Sequence, residues 1–202
     1  MTFFYCVEDE LSRSVAERLL TECCQPGIHT AELGSAYGGY GHIKKNLRKY
    51  YDLSKRCPVL IITDLDRQDC APSLRRTWLH DHGISEPLPQ NLVFCVAKTE
   101  IESWLLADTE GAARFLGISS AKMVHNIEDG IVDTKEYLVN LAKGSRDNSI
   151  KSDLTPDKSS SAATGIGYNY RLRGFVESHW NPFDARLKSV TLDRAMNKLA
   201  AF

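Results

Sequence analysis

The sequence has no long apolar run. None of its stretches approaches the ~20 residues needed to cross a bilayer, so no membrane span is expected. It has no CxxC pair: the six cysteines are Cys6, Cys23, Cys24, Cys57, Cys70 and Cys95. Zinc-site spacings are therefore missing, and the adjacent Cys23–Cys24 pair makes a poor disulfide framework. We read the cysteines as reduced thiols of a cytoplasmic protein. The N-terminus, MTFFYCVEDE, lacks the basic start of a signal peptide. A surplus of charge is missing too, since 25 Lys+Arg stand against 26 Asp+Glu. That excludes a uniformly basic, histone-like binder but leaves room for a local basic face. There is no GK[ST] phosphate loop, no GxGxxG after the first strand and no GxSxG elbow. ATP binding by a Walker loop, a dinucleotide cofactor and nucleophilic serine catalysis all lack support. The six histidines assemble no site, and His80–Asp81–His82 reads as a surface turn.

What is present is an ordinary globular composition over 202 residues, 43% hydrophobic and 25% charged. A core of useful size needs no staple at this length. Short apolar strands are expected at Phe3–Val7, Ile28–Leu33, Pro58–Thr63 and Leu92–Val96. Helical spacing fills the gaps, at Ser12–Cys23, His42–Leu53, Ser73–His82 and Thr99–Ala107. Continuous apolar strands alternating with helices predict an α/β fold, a mainly parallel four-stranded sheet covered on both faces. After Asp108 the strands stop. Helices are expected at Gly111–Leu116, Thr134–Ala142, Tyr168–His179 and Thr191–Ala201, with a polar stretch at Gly144–Gly167. The expected organisation is an α/β domain over 1–108 and a helical extension over 109–202, packed on it.

Ligands of open parallel sheets bind beyond the C-terminal strand ends. Acids stand there: Glu8, Asp9 and Glu10 after the first strand, Asp64 and Asp66 after the third, Glu100 and Glu102 after the fourth. In an extended segment, residues i and i+2 point to one side, roughly 6.6 Å apart, so Asp64 and Asp66 can ligate one hard cation such as Mg²⁺, or bracket two. Against this, a single strand-end Asp is a good helix cap, and Glu8 fits the first turn of the following helix. Glu100 and Glu102 lie about 200° apart on a helix, so at most one faces the site. Thr99-x-x-Glu102 also fits a capping box.

A basic segment, Lys44, Lys45, Arg48, Lys49, Lys55 and Arg56, carries Tyr37, Tyr40, Tyr50 and Tyr51 within or beside it. It reads either as a face for nucleic-acid backbone with stacking aromatics, or as a solvated helix with tyrosines in the core. Arg75 and Arg76 extend the patch. The loop Gly34–Gly41 before it could cradle an anion, although a plain turn explains it as well.

Glu8 after a first strand, then Asp64-x-Asp66, resembles the TOPRIM (topoisomerase–primase) signature. Glu100-Ile-Glu102-Ser-Trp104-Leu-Leu-Ala-Asp108 is similar to the ExWLL segment of small bacterial TOPRIM-like families, the RloB-like group among them, and to OLD-type nuclease TOPRIM domains. Thr164-Gly-Ile-Gly-Tyr168-Asn and Trp180-Asn-Pro182 resemble the late part of such proteins. Asp9 stands where the family usually has Gly, and Ser12 where it often has an acid. The resemblance implies Mg²⁺- (or Mn²⁺-) dependent phosphodiester chemistry on DNA or RNA, in a nuclease of an anti-phage system with an ABC-type ATPase as partner. It is also compatible with a homodimer. Asp64, Asp66, Glu8 and Glu102 would hold metal, with Glu8 alternatively the general acid/base. Lys44 and Lys45 would neutralise phosphate, and Arg48, Lys49, Arg75 and Arg76 would bind the nucleic acid. The rival expectation is a non-catalytic TOPRIM-like subunit that senses or scaffolds within an ATPase complex.

Overall fold

The computed structural model describes residues 1–34 and 39–202. The chain divides into two compact units, Met1–Lys98 with Arg194–Phe202, and Thr99–Asp193. The division falls at Lys98/Thr99, where the sequence suggested 108, and the last nine residues return to the first unit. The expected loop Gly34–Gly41 lies mostly outside the described residues.

The first unit alternates as its apolar pattern predicts. It runs β1 (Thr2–Cys6), α1 (Glu10–Cys23), β2 (His29–Glu32), α2 (Gly39–Ser54), β3 (Val59–Asp64), α3 (Ala71–Asp81) and β4 (Leu92–Ala97). The four strands form one sheet in the order β2-β1-β3-β4, every pairing parallel. In β3 the run Val59, Leu60, Ile61, Ile62 is buried on both faces, and all of β4 is buried. That is why these strands read as unbroken apolar runs rather than alternations. Ile43 and Leu47 of α2, with Leu74, Trp78 and Leu79 of α3, cover one face around Ile61 and Phe94.

α1 is started by Asp9, whose carboxylate accepts the Ser12 amide at 2.8 Å. One member of the first acidic run is thereby a helix cap, and the cap explains why the helix begins at Glu10, two residues earlier than expected.

The second unit has helices and no strand among its described residues: α4 (Glu102–Ala107), α5 (Thr109–Leu116), α6 (Ile127–Gly130), α7 (Thr134–Lys143), α8 (Asn148–Leu154), α9 (Tyr168–Ser178) and α10 (Pro182–Ala185). α11 (Val190–Leu199) begins here and ends in the first unit. The polar stretch Gly144–Gly167 contains α8, capped by Asp147 on the Ser149 and Ile150 amides.

The segments that carried the family resemblance bind one another in this unit. Trp180 donates its indole N–H to the Trp104 carbonyl at 3.2 Å. Asp108 accepts the Asn181 amide at 2.9 Å and caps α5 through the Gly111 amide. Gly165 and Gly167 donate to the Leu154 and Asp153 carbonyls, both at 3.1 Å. No side chain fits at these two glycines: a Cβ on Gly165 would meet the Asp153 carbonyl at 2.3 Å. This close approach delivers Tyr168 to Glu102, which accepts its hydroxyl at 2.9 Å.

Candidate functional site at the strand ends

Parallel strands run to one edge of the sheet, and β1 ends at Cys6 opposite Ile61, three residues before β3 ends at Asp64, so the chain after β1 passes along the last residues of β3. Glu8 therefore lies beside the end of β3. One of its carboxylate oxygens accepts the Thr63 hydroxyl and, at 2.9 Å, the Asp64 amide. Its place before the α1 cap Asp9 is not used to serve that helix; the side chain turns to the sheet instead. Burial pushes the Glu8 carboxyl above the usual carboxylate range. The two hydrogen bonds oppose this, and the nearby charges of Asp66 and Asp9 add to it. Three acids thus influence one another at the rim, with Asp64 contributing its backbone.

Asp64 ends β3 opposite Ala97 and is half-buried. The expected i, i+2 geometry stops there. Leu65 is still extended and donates to the Ala97 carbonyl at 2.9 Å, but Asp66 turns with φ +50°. That left-handed conformation is uncommon outside glycine, though Asp tolerates it better than most residues. Asp66 is exposed in the turn, so the pair shares the rim without the simple one-sided spacing of an extended strand.

The donor set is all carboxylate oxygen, which suits a hard cation that keeps several waters, as Mg²⁺ does with one or two protein carboxylates. A cage with three protein ligands is another matter. Among the described residues, no group of three or more His, Cys, Asp and Glu side chains is arranged to hold an ion.

Glu100 and Glu102 belong to the helical unit. The sequence allowed at most one of them to face a common point, on the assumption that both are helical. The helix starts only at Glu102, after Thr99 with φ +62°, so the 100° step between residues does not apply across them. Both approach Lys135, whose ammonium lies 3.4 Å from Glu100 and 3.7 Å from Glu102. Glu100 also accepts the Thr134 hydroxyl at 3.1 Å and the Lys135 amide at 2.8 Å. The Thr99–Glu102 capping box does not form, because the helix cap is Ile101, without a side-chain bond. Glu102 is only 2% exposed. Burial pushes its carboxyl up to about 7; Lys135 and the Tyr168 hydroxyl oppose the shift, and Glu100 adds to it.

Half of the basic patch is ion-paired among the described residues. Lys44 binds Asp81 at 2.9 Å. Arg48 binds Asp52 at 3.1 Å and lies over the Tyr51 ring, where Lys55 joins it. Arg75 binds Glu86 at 2.5 Å. Lys45, Lys49 and Arg76 are exposed. Tyr50 is buried in the core, its hydroxyl 3.2 Å from the His42 ring nitrogen, so it is no stacking platform. Tyr37 and the Tyr40 side chain lie outside the described residues. Thr63, Lys135 and Tyr168 were not singled out as partners of acids. Thr63 carried a usable signal, the one polar residue closing an apolar strand beside Asp64.

A four-stranded parallel sheet with acids at its C-terminal rim, together with a helical unit, defines the structural class. No protein-family model matches the sequence, and comparison with curated proteins gives no match. Among solved structures, the chain is similar to the C-terminal region of the Burkholderia pseudomallei OLD protein. The TM-score is 0.53 at 13% identity, over 98% of this chain and 96% of that one. The likeness is one of fold.

Proposed function

We propose that this chain is a Mg²⁺- or Mn²⁺-dependent nuclease of TOPRIM type acting on nucleic-acid phosphodiesters, with bacterial anti-phage defence as its setting and an ABC-type ATPase as its partner. The observation that carries the reading is the Glu8 carboxylate, held on the Thr63 hydroxyl and the Asp64 amide at the sheet edge where Asp66 also stands. The fold likeness to the OLD C-terminal region supports it.

In this reading Asp64 and Asp66 would hold the ion, with Glu8 either a further ligand or the general acid/base, and water would complete the shell. When bound, such an ion supplies charge neutralisation for a phosphoryl group and acidifies water. Glu8, fixed through one oxygen and with its carboxyl raised by burial, is suited to move a proton at its other oxygen. Glu102 is the weakest of the expected ligands, because a carboxyl raised to about 7 must first lose its proton before it can ligate. Lys45, Lys49 and Arg76 are exposed for backbone binding, whereas Lys44 reaches phosphate only by leaving Asp81.

The test is cleavage of DNA and RNA in Mg²⁺ or Mn²⁺ by wild type, Asp64→Ala and Glu8→Ala. Each variant is expected to lose at least about a hundredfold. Equal activity in all three overturns the assignment. The absence of a three-ligand group among the described residues favours one second reading, a non-catalytic sensing or scaffolding subunit of an ATPase complex. Intact partner activity in an Asp64→Ala/Asp66→Ala variant would select it.

A further inference from the structure

β4 is an edge strand. Val59 donates to the Asn91 carbonyl and Leu65 to the Ala97 carbonyl, so the odd-numbered residues of β4 face β3. In a parallel strand the two backbone polar groups of one residue point the same way, and neighbours alternate. Leu92, Phe94 and Val96 therefore point their backbone groups away from the sheet. The Leu92 amide is satisfied by the Pro89 carbonyl at 2.9 Å. The Phe94 and Val96 amides and the Leu92 and Phe94 carbonyls have no hydrogen-bond partner among the described residues.

The first half of the strand, Leu92 to Phe94, lines a groove of about 1050 Å³. Its walls include Leu88, Phe94 and Phe202, with Arg75 on the α3 side and Lys198 on the α11 side. Lys198 is exposed and has no ion pair among the described residues. Glu86, 56% exposed, holds Arg75.

Unpaired edge groups, apolar walls and flanking cations are the elements of strand addition. We propose that the β4 edge binds an extended acidic segment of a partner protein, its backbone pairing with Phe94 and Val96 and its carboxylates meeting Lys198 and Arg75. A second copy of this chain is the poorer occupant. A two-fold pairing of β4 edges would bring the lining cations Arg75 and Lys198 to the interface from both copies, and like charges there oppose association. The proposal is independent of any phosphodiester chemistry at the strand ends.

The test uses the whole chain and a blocked octapeptide of alternating glutamate and valine. Binding is read by fluorescence anisotropy and by hydrogen exchange. The peptide is expected to bind, more weakly as salt rises, and to slow exchange at the Phe94 and Val96 amides. Lys198→Glu should weaken it about tenfold or more, and Glu86→Gln should tighten it, since the rival carboxylate is gone. Both positions are on the surface, so the variants fold. A lysine–valine peptide should not bind. Failure of the acidic peptide, or binding without protection at Phe94 and Val96, overturns the proposal. So does concentration-dependent protection of these amides without peptide, which would assign the edge to a second copy.

Discussion

Glu102→Gln separates a buried neutral acid from a buried ion pair. In the folded protein the Glu102 carboxyl holds its proton up to about 7, against 4.5 as its ordinary value. The folded state therefore binds the proton more tightly than the unfolded state. Stability from this group is fully present below 4.5 and is lost as pH rises through 7. At about 1.36 kcal/mol per pH unit the loss above neutrality amounts to about 3 kcal/mol. Gln keeps the carbonyl that accepts the Tyr168 hydroxyl and cannot ionise. Urea unfolding followed by helical circular dichroism, at pH 5 and pH 8 with chelator present, gives the difference between variant and wild type. Other titrating groups cancel in that difference. The variant should match wild type or fall slightly below it at pH 5, and exceed it by about 2–3 kcal/mol at pH 8. A constant difference at both pH values, or a variant that loses most at pH 8, would mean that Glu102 is ionised and held by Lys135. The reasoning would then be refuted.

Gly165→Ala should destabilise by about 1–3 kcal/mol, because its Cβ must displace the Asp153 backbone. Gly174→Ala meets open space in the interior of α9 and should stabilise by about 0.5–1 kcal/mol; thermal melts of both variants check the pair. Lys45→Glu and Lys49→Glu should each weaken nucleic-acid binding and lower the slope of log affinity against log salt by about one for each phosphate no longer neutralised. Lys55→Glu, at a position engaged with Asp52 and Tyr51, should change that slope little.

The sheet was legible because a strand buried on both faces reads as an unbroken apolar run, as β4 and the Val59–Ile62 run of β3 do. The acidic rim was legible for a related reason: parallel strands run the same way, so residues near their C-terminal ends meet at one edge. Local spacing misled where a single dihedral decides the outcome. Asp66 takes a left-handed turn, and α4 starts at Glu102 rather than at Thr99; neither change leaves a mark on hydrophobic periodicity. The open-face reading of the basic patch stayed available in the sequence because two neutralising partners, Asp81 for Lys44 and Glu86 for Arg75, lie outside the elements that carry these cations. The family-like segments were recognised as motifs. Their structural role, Trp104 to Trp180, Asp108 to Asn181 and Glu102 to Tyr168, depends on hydrogen bonds between residues more than sixty positions apart in sequence.

The central claim is that carboxylates at the C-terminal rim of β1 and β3 hold a divalent cation. The most direct measurement is a crystal structure of the chain soaked in millimolar Mn²⁺, with the metal located by anomalous scattering. The account predicts an ion within coordination distance of the Glu8 carboxylate and of Asp64 or Asp66. A rim without an ion while Mn²⁺ binds elsewhere, or a Glu8 carboxylate still closed on Thr63 and Asp64 with only water beside it, would contradict it.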